Sequence, residues 1–262
     1  MNPNEKQTEL KKTLEQIRHA FLSGKHSRVI ELCTELIANA QLLNADEDIL
    51  SATYLNRGVS KRITGDKQGA LEDYAQSSQL DPHSYHPHLD AALVYCEDLE
   101  DYKNGLEEFD KALRLNPTGP NILSSRGVAK YSTGDYNGAE ADYLAALTIT
   151  PKDPNIFFNY GNLQMKQNKV KEAAETYQKG LTLNPKDYEM RMKLAIALEQ
   201  LGDQQASKDV LKVDQRSVQL YMQKKGIPLR PPNKGCTITV FLLVVAGILA
   251  LTWFIIMKIK GS

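Results

Sequence analysis

Three histidines crowd one short stretch, DPHSYHPHL, where His83, His86 and His88 are the densest set of metal-capable side chains in the chain. Imidazole nitrogens hold zinc when four ligands converge tetrahedrally, usually from more than one segment. Pro87 and the short spacing work against ligation from one face, and no Cys or acid at a metal-site spacing completes the set. A solvated loop is the expectation, with no metal and no cofactor. His19 and His26 stand singly. The acidic run Glu97, Asp98, Glu100 and Asp101 could attract a basic partner, but a solvated turn is the simpler account. Glu107, Glu108 and Asp110 read as exposed helix carboxylates. The nucleotide loop G-x-x-x-x-G-K-[ST], the nucleophile turn G-x-S-x-G and the zinc helix H-E-x-x-H are all missing. The chain therefore reads as no enzyme, with no small-molecule substrate.

Composition narrows the partners. The 262 residues are 42% apolar and 24% charged, with 32 Lys+Arg against 32 Asp+Glu, so net charge does not point to nucleic acid. Three cysteines, Cys33, Cys96 and Cys236, with no C-x-x-C, suit a reducing compartment better than a disulfide framework. The polar start MNPNEKQTELKKTLEQ carries no apolar signal region. Charge is uneven along the chain: residues 86–119 are acidic, and residues 212–234 are basic through Lys212, Arg216, Lys224, Lys225, Arg230 and Lys234.

The elements that would position a site come from a repeat. Pro82, Pro117, Pro151 and Pro185 recur at nearly constant spacing, each after an apolar stretch: SSQLDP, ALRLNP, ALTITP, GLTLNP. Self-similarity of this length marks a stacked supersecondary unit. Each unit reads as helix, tight turn, helix. Gly58, Gly127 and Gly161 fall inside first helices, where glycine costs about 1 kcal/mol relative to alanine. Close approach of the second helix is the expected reason, with Ala70, Gly105, Ala139 and Ala173 as the small residues that meet them. Tyr74, Phe109, Tyr143 and Tyr177 add bulk four residues later. Gly65 and Gly134 suit a left-handed helix end, and the proline ends the second helix.

This pattern resembles the tetratricopeptide repeat. Full repeats are expected at 51–84, 86–119, 120–153 and 154–187. A divergent helical pair occupies 1–50, and a degenerate repeat with a capping helix 188–225. At the family's tryptophan position stand Tyr54, Leu89, Leu123, Phe157 and Arg191 instead. The resemblance implies an all-α, right-handed superhelical solenoid whose concave face is lined by first helices. It places a partner-binding groove at Asn121, Ser125 and Tyr131, then at Asn155, Phe158, Asn159, Asn162 and Lys166. The polar members suit an extended peptide; a hydrated groove without ligand is the alternative at each position. The two-carboxylate clamp for chaperone C-termini finds no match in any run of three repeats, so that ligand is not expected.

A linker rich in proline and basic residues, 226–235, leads to an uncharged stretch from Cys236 to Met257, and the five residues KIKGS follow at 258–262. Twenty-two residues at about 1.5 Å each span about 33 Å, enough for a ~30 Å hydrocarbon core. Only Thr237, Thr239 and Thr252 interrupt it, whereas the whole chain has a mean hydropathy of -0.42. Thr237 to Met257 is therefore expected to form a single transmembrane helix and tail anchor. The preceding cations keep the repeat domain cytoplasmic by the positive-inside rule. The sum is a membrane-anchored scaffold for a protein or peptide partner. The alternative is a structural subunit of a larger membrane complex that uses its convex face and span.

Overall fold

The computed structural model describes residues 2–212 and Gln223, and every regular element among them is helical. The described helices lie within one compact unit, Met1–Leu211. Helices α1 (Pro3–Leu22) and α2 (His26–Ala38) form an N-terminal pair, followed by the short α3 (Ala40–Leu43). Four helix pairs succeed it: α4 (Glu47–Thr64) with α5 (Lys67–Leu80), α6 (His86–Leu93) with α7 (Tyr102–Leu115), α8 (Pro120–Thr133) with α9 (Tyr136–Ile149), and α10 (Pro154–Lys166) with α11 (Val170–Leu183). Helices α12 (Tyr188–Gln200) and α13 (Gln204–Val210) come last. Each helix packs chiefly on its neighbours in sequence, the contact pattern of a solenoid.

The turn inside each pair is built the same way. The first helix ends on a left-handed residue, and in four of the six pairs the next residue caps the second helix with its side chain, whereas Lys25 and Lys169 stand there without such a bond. Gly24, Gly65, Gly134 and Gly202 hold these positions with φ of 66°, 96°, 85° and 84°. In two pairs the place falls to Glu100 (φ 55°) and Asn168 (φ 61°), which carry a Cβ into a region that favours glycine. Asp66, Asp101, Asp135 and Asp203 follow, and their carboxylates accept from the backbone N–H three residues on, at Gly69, Asn104, Gly138 and Ala206. Each such cap satisfies an amide that the helix start leaves unpaired.

Glycine in the first helices does make room for the second, but the group it admits is a ring. A Cβ built on Gly58 would lie 2.6 Å from Tyr74 Cε1, and one on Gly127 2.7 Å from Tyr143 Cε1; Gly161 faces Tyr177 in the same way. The expected small-to-small contact is secondary: the nearest Ala70 atom to such a Cβ on Gly58 is its carbonyl oxygen, at 3.2 Å. Tyr74, Tyr143 and Tyr177 are at most 2% exposed, and burial pushes their phenols above the usual range.

The second pair departs from the others. Its first helix passes from α6 into a π-helical segment, Val94–Asp98. The buried small residue there is Ala92, which lies one residue further from its capping Asp101 than Gly58 does from Asp66. A π-helical turn takes up an extra residue of this kind.

Interior charges tie the pairs together. Asp73 and Asp142 immediately precede the buried tyrosines, and their side chains are only 3% and 5% exposed. Arg57 grips Asp73 with Nε (2.8 Å) and Nη2 (2.7 Å), and Lys61 adds a contact at 3.0 Å. Arg126 grips Asp142 with Nε (2.9 Å) and Nη2 (2.6 Å), and Lys130 joins at 2.9 Å. The remaining guanidinium arm reaches the preceding pair: Arg57 Nη1 donates to Thr34 Oγ1 (3.1 Å), and Arg126 Nη1 to Asp110 Oδ1 (2.6 Å). The hydrogen bonds from Arg57 to Asp73 and from Arg126 to Asp142 lead the causes that hold both guanidinium groups above their ordinary pKa. Removing one partner of a buried pair strands the other charge, at about 3–5 kcal/mol. Asp142→Ala is expected to lose that much unfolding free energy in urea titrations followed by circular dichroism.

Candidate functional site

The candidate face is carried by α8 and α10, the first helices of the third and fourth pairs. Asn121 and Ser125 on α8 and Asn155 and Asn159 on α10 fall at matching places in their helices. Asn121 and Asn155 are exposed, and Ser125 and Asn159 are half-buried. None of these four side chains has a hydrogen-bond partner among the described residues. The backbone N–H of Asn155 donates to Asp153 Oδ1 at 2.9 Å, a cap that leaves the amide side chain to solvent. Lys166 is exposed at the last residue of α10.

The other three groove residues are engaged inside the fold. Asn162 Oδ1 accepts a hydrogen bond from the buried Tyr177 phenol at 2.8 Å. Phe158 lies half-buried against the core around Tyr177, ring centroids 6.4 Å apart. Tyr131 packs on Tyr136 at 5.9 Å and on the core of the third and fourth pairs. Val59 and Val128 occupy the place of Asn162 in the first and third pairs. A valine accepts nothing, and the Tyr74 phenol is buried without a partner. Asn162→Ala should therefore cost about 1–3 kcal/mol by stranding the Tyr177 hydroxyl. Asn159→Ala should stay within about 0.5 kcal/mol of wild type. Thermal melts of the two variants side by side test this.

Several of the histidines and acids that could have done chemistry have structural work instead. His88 Nδ1 lies 2.7 Å from Glu108 Oε2, and Lys111 Nζ 2.6 Å from Glu108 Oε1. His86 stacks on Tyr85 at 4.0 Å. Among the described residues no group of three His, Cys, Asp or Glu side chains could hold a metal ion. The acidic run is solvent-exposed at Glu97 and Glu100, yet three of its four acids are engaged in the fold. Arg62 binds Glu97 (2.7 Å) and Asp98 (2.6 Å), Lys67 donates to the Asp98 carbonyl (2.6 Å), and Asp101 caps α7.

Burial pushes the Glu108 carboxyl up, but the hydrogen bonds from His88 and Lys111 outweigh it and hold its pKa below the usual 4.5. A carboxylate with a depressed folded pKa contributes stability above its unfolded value and loses it as pH falls through the folded value. The stability difference between wild type and Glu108→Gln is thus expected to be full at neutral pH and to shrink below about pH 4.5. Urea titrations across pH 3–7 read it out.

One concave feature was not legible as a site. Between α1 and α4 lies a cleft of about 480 Å³. Its signal in the sequence was slight: Ala52 and Asn56 are the second and sixth residues of the expected first full repeat, the same places that Asn121 and Ser125 hold in the third.

Comparison with known proteins bears on this geometry. Family models described as TPR repeat and tetratricopeptide repeat match residues 127–168 and 154–187. Among curated proteins none matches the chain. Solved structures do. A tetratricopeptide repeat protein from Parabacteroides merdae superposes with a TM-score of 0.63 at 18% identity, over 76% of this chain and 76% of its own. MamA gives 0.56 at 19% identity, over 64% of this chain and 96% of its own. YrrB, a TPR protein with an unusual peptide-binding site, gives 0.54 at 18% identity, over 73% and 97%. The described fold is therefore that of a tetratricopeptide-repeat solenoid, an architecture of stacked helix pairs.

Proposed function

We propose that this chain is a scaffold that recruits a protein or peptide along its first helices, and that the uncharged segment 236–257 attaches it to a membrane. The observation that carries the first part is the row Asn121, Ser125, Asn155 and Asn159, whose polar groups are unpartnered while the interior charges are matched among themselves. An asparagine amide both donates and accepts, which is what an extended peptide backbone requires. A peptide-binding site in YrrB, a protein of the same fold, is consistent with such a ligand. The membrane part rests on sequence. Among the described residues no helix is long and apolar enough to cross a bilayer, and 236–257 lies outside them. The uncharged length from Cys236 to Met257 and the basic residues before it support a single span with the repeats on the cytoplasmic side. Tethering would raise the effective concentration of the scaffold for partners on the same membrane.

A second reading has its own support. Leu115, Ile149 and Leu183 end the second helices of successive pairs and are 37%, 40% and 39% exposed. A subunit of a larger membrane complex could use such an outer row. The two readings separate in affinity capture with the full chain in detergent, comparing wild type with Asn121→Ala/Asn159→Ala. Loss of the same partners with the fold intact supports recruitment by the first helices. Partners retained in full favour the outer surface instead. For the membrane part, Val245→Arg/Leu249→Arg adds about 2.5–3.5 kcal/mol of insertion cost per charge. It is expected to move the protein into the alkaline-extractable fraction, and an unchanged membrane pellet would defeat the span.

A further inference from the structure

The N-terminal cleft differs from the rest of the first-helix face in length and in chemistry. Helices α1 and α4 are 20 and 18 residues long, against 14 and 13 for α8 and α10. The added α3 packs on α1 in place of a short inter-pair turn, and α4 begins a turn earlier than the expected repeat. The extra turn brings Asp48 and Ile49 into the cleft wall. Leu14, Ile17 and Phe21 from α1 and Ile49 and Ala52 from α4 make the cleft chiefly apolar. Leu22 stands at its rim, 78% exposed.

A few polar groups punctuate that surface. Arg18 belongs to the α1 wall and Asp48 to the α4 wall. Among the described residues Arg18 is held only by Glu15 of its own helix, at 3.3 Å with both side chains 70% exposed, a pairing an incoming carboxylate can displace at little cost. Asp48 has no ion-pair partner among the described residues. Asn56 is half-buried, and its amide makes no hydrogen bond there. An apolar concavity of several hundred Å³ with a few convergent polar groups is the usual form of a ligand site.

We propose that this cleft is the anchor subsite of the recruiting face: it takes the adjacent aliphatic side chains of a peptide that carries an acid on one flank and a base on the other. The inference rests on the recruitment reading above. The aliphatic pair fills the space between Ile17, Phe21 and Ile49. The flanking acid meets Arg18, the flanking base meets Asp48, and Asn56 holds the peptide backbone. Charge complementarity across the two walls is what selects a peptide of this kind over a purely apolar ligand.

The test uses the full chain in phosphatidylcholine nanodiscs and fluorescein-labelled octapeptides with a Glu-Leu-Leu-Lys core, read by fluorescence anisotropy. A Glu-Ser-Ser-Lys core should bind at least about tenfold more weakly, since serine gives up the apolar burial that leucine offers the cleft. Ala52→Arg and Leu22→Ser change exposed rim positions without touching the core, and each should weaken the leucine peptide several-fold or more. Arg18→Glu should reverse the preference between Glu-Leu-Leu-Ser and Lys-Leu-Leu-Ser cores. Equal binding of leucine and serine cores, indifference to Ala52→Arg, or no binding of any core overturns the inference. If Asn121→Ala/Asn159→Ala abolishes partner capture while the cleft variants change nothing, recruitment stands and the anchor subsite falls.

Discussion

In three of the four middle pairs a tyrosine ring lies across a glycine where the two helices cross, and the depth of that crossing sets much else in the molecule. With no Cβ on Gly58 or Gly127, the rings of Tyr74 and Tyr143 sit against bare backbone. Adding the methyl would regain about 1 kcal/mol of helix propensity and force an overlap that costs at least as much. The same approach carries the preceding residue, Asp73 or Asp142, almost out of water. A carboxylate so placed needs compensating charge within reach, and Arg57 with Lys61, or Arg126 with Lys130, supply it from one turn to the next of the facing helix. Close packing thus comes first, and the interior ion pairs are its consequence.

What the interior uses is withdrawn from the surface. Asn162 faces the same side as Asn159, yet its carbonyl is held by Tyr177, because that tyrosine crosses deeply enough for its hydroxyl to arrive there. Phe158 and Tyr131 likewise give their rings to packing against the second helix of their own pair. The polar groups left for a partner are those whose helix positions look away from the crossing tyrosine. Which polar groups this face leaves unengaged is a residue of packing, and it differs between the third and fourth pairs even though α8 and α10 are nearly equal in length.

Much of the architecture could be read from single residues with strong local preferences. Gly65 and Gly134 mark left-handed helix ends because few other residues take that conformation cheaply, and they have it. Glu100 takes the same conformation without any local signal; the position in the stack imposes it. The π-helical segment is equally silent, since an extra residue in a helix looks like any other residue. Asp73 and Asp142 resemble surface carboxylates in sequence, because only the partner helix reveals that they are buried. Of the expected groove residues, the commitments of Asn162, Phe158 and Tyr131 were not legible, since each depends on a residue in another helix. The cleft between α1 and α4 required knowing how the divergent N-terminal pair meets the first regular one.

The gripped aspartate occurs in the first and third of the four middle pairs and in neither of the others. The second pair places Glu108 there and engages it with His88 and Lys111, and the fourth places the buried Thr176 there, with Tyr160 and Gln164 in the positions of the arginine and lysine. In its interior charges the molecule therefore counts in twos. Excising the second pair alone would bring Arg126 against the helix that carries Ala75 where Asp110 now stands, and its outer arm would find no acceptor. Excising the first and second together would bring it against Thr34, the hydroxyl that already serves Arg57. A chain that looks divisible at every proline has joints of two kinds, and only every other one is a natural place to lengthen or shorten it.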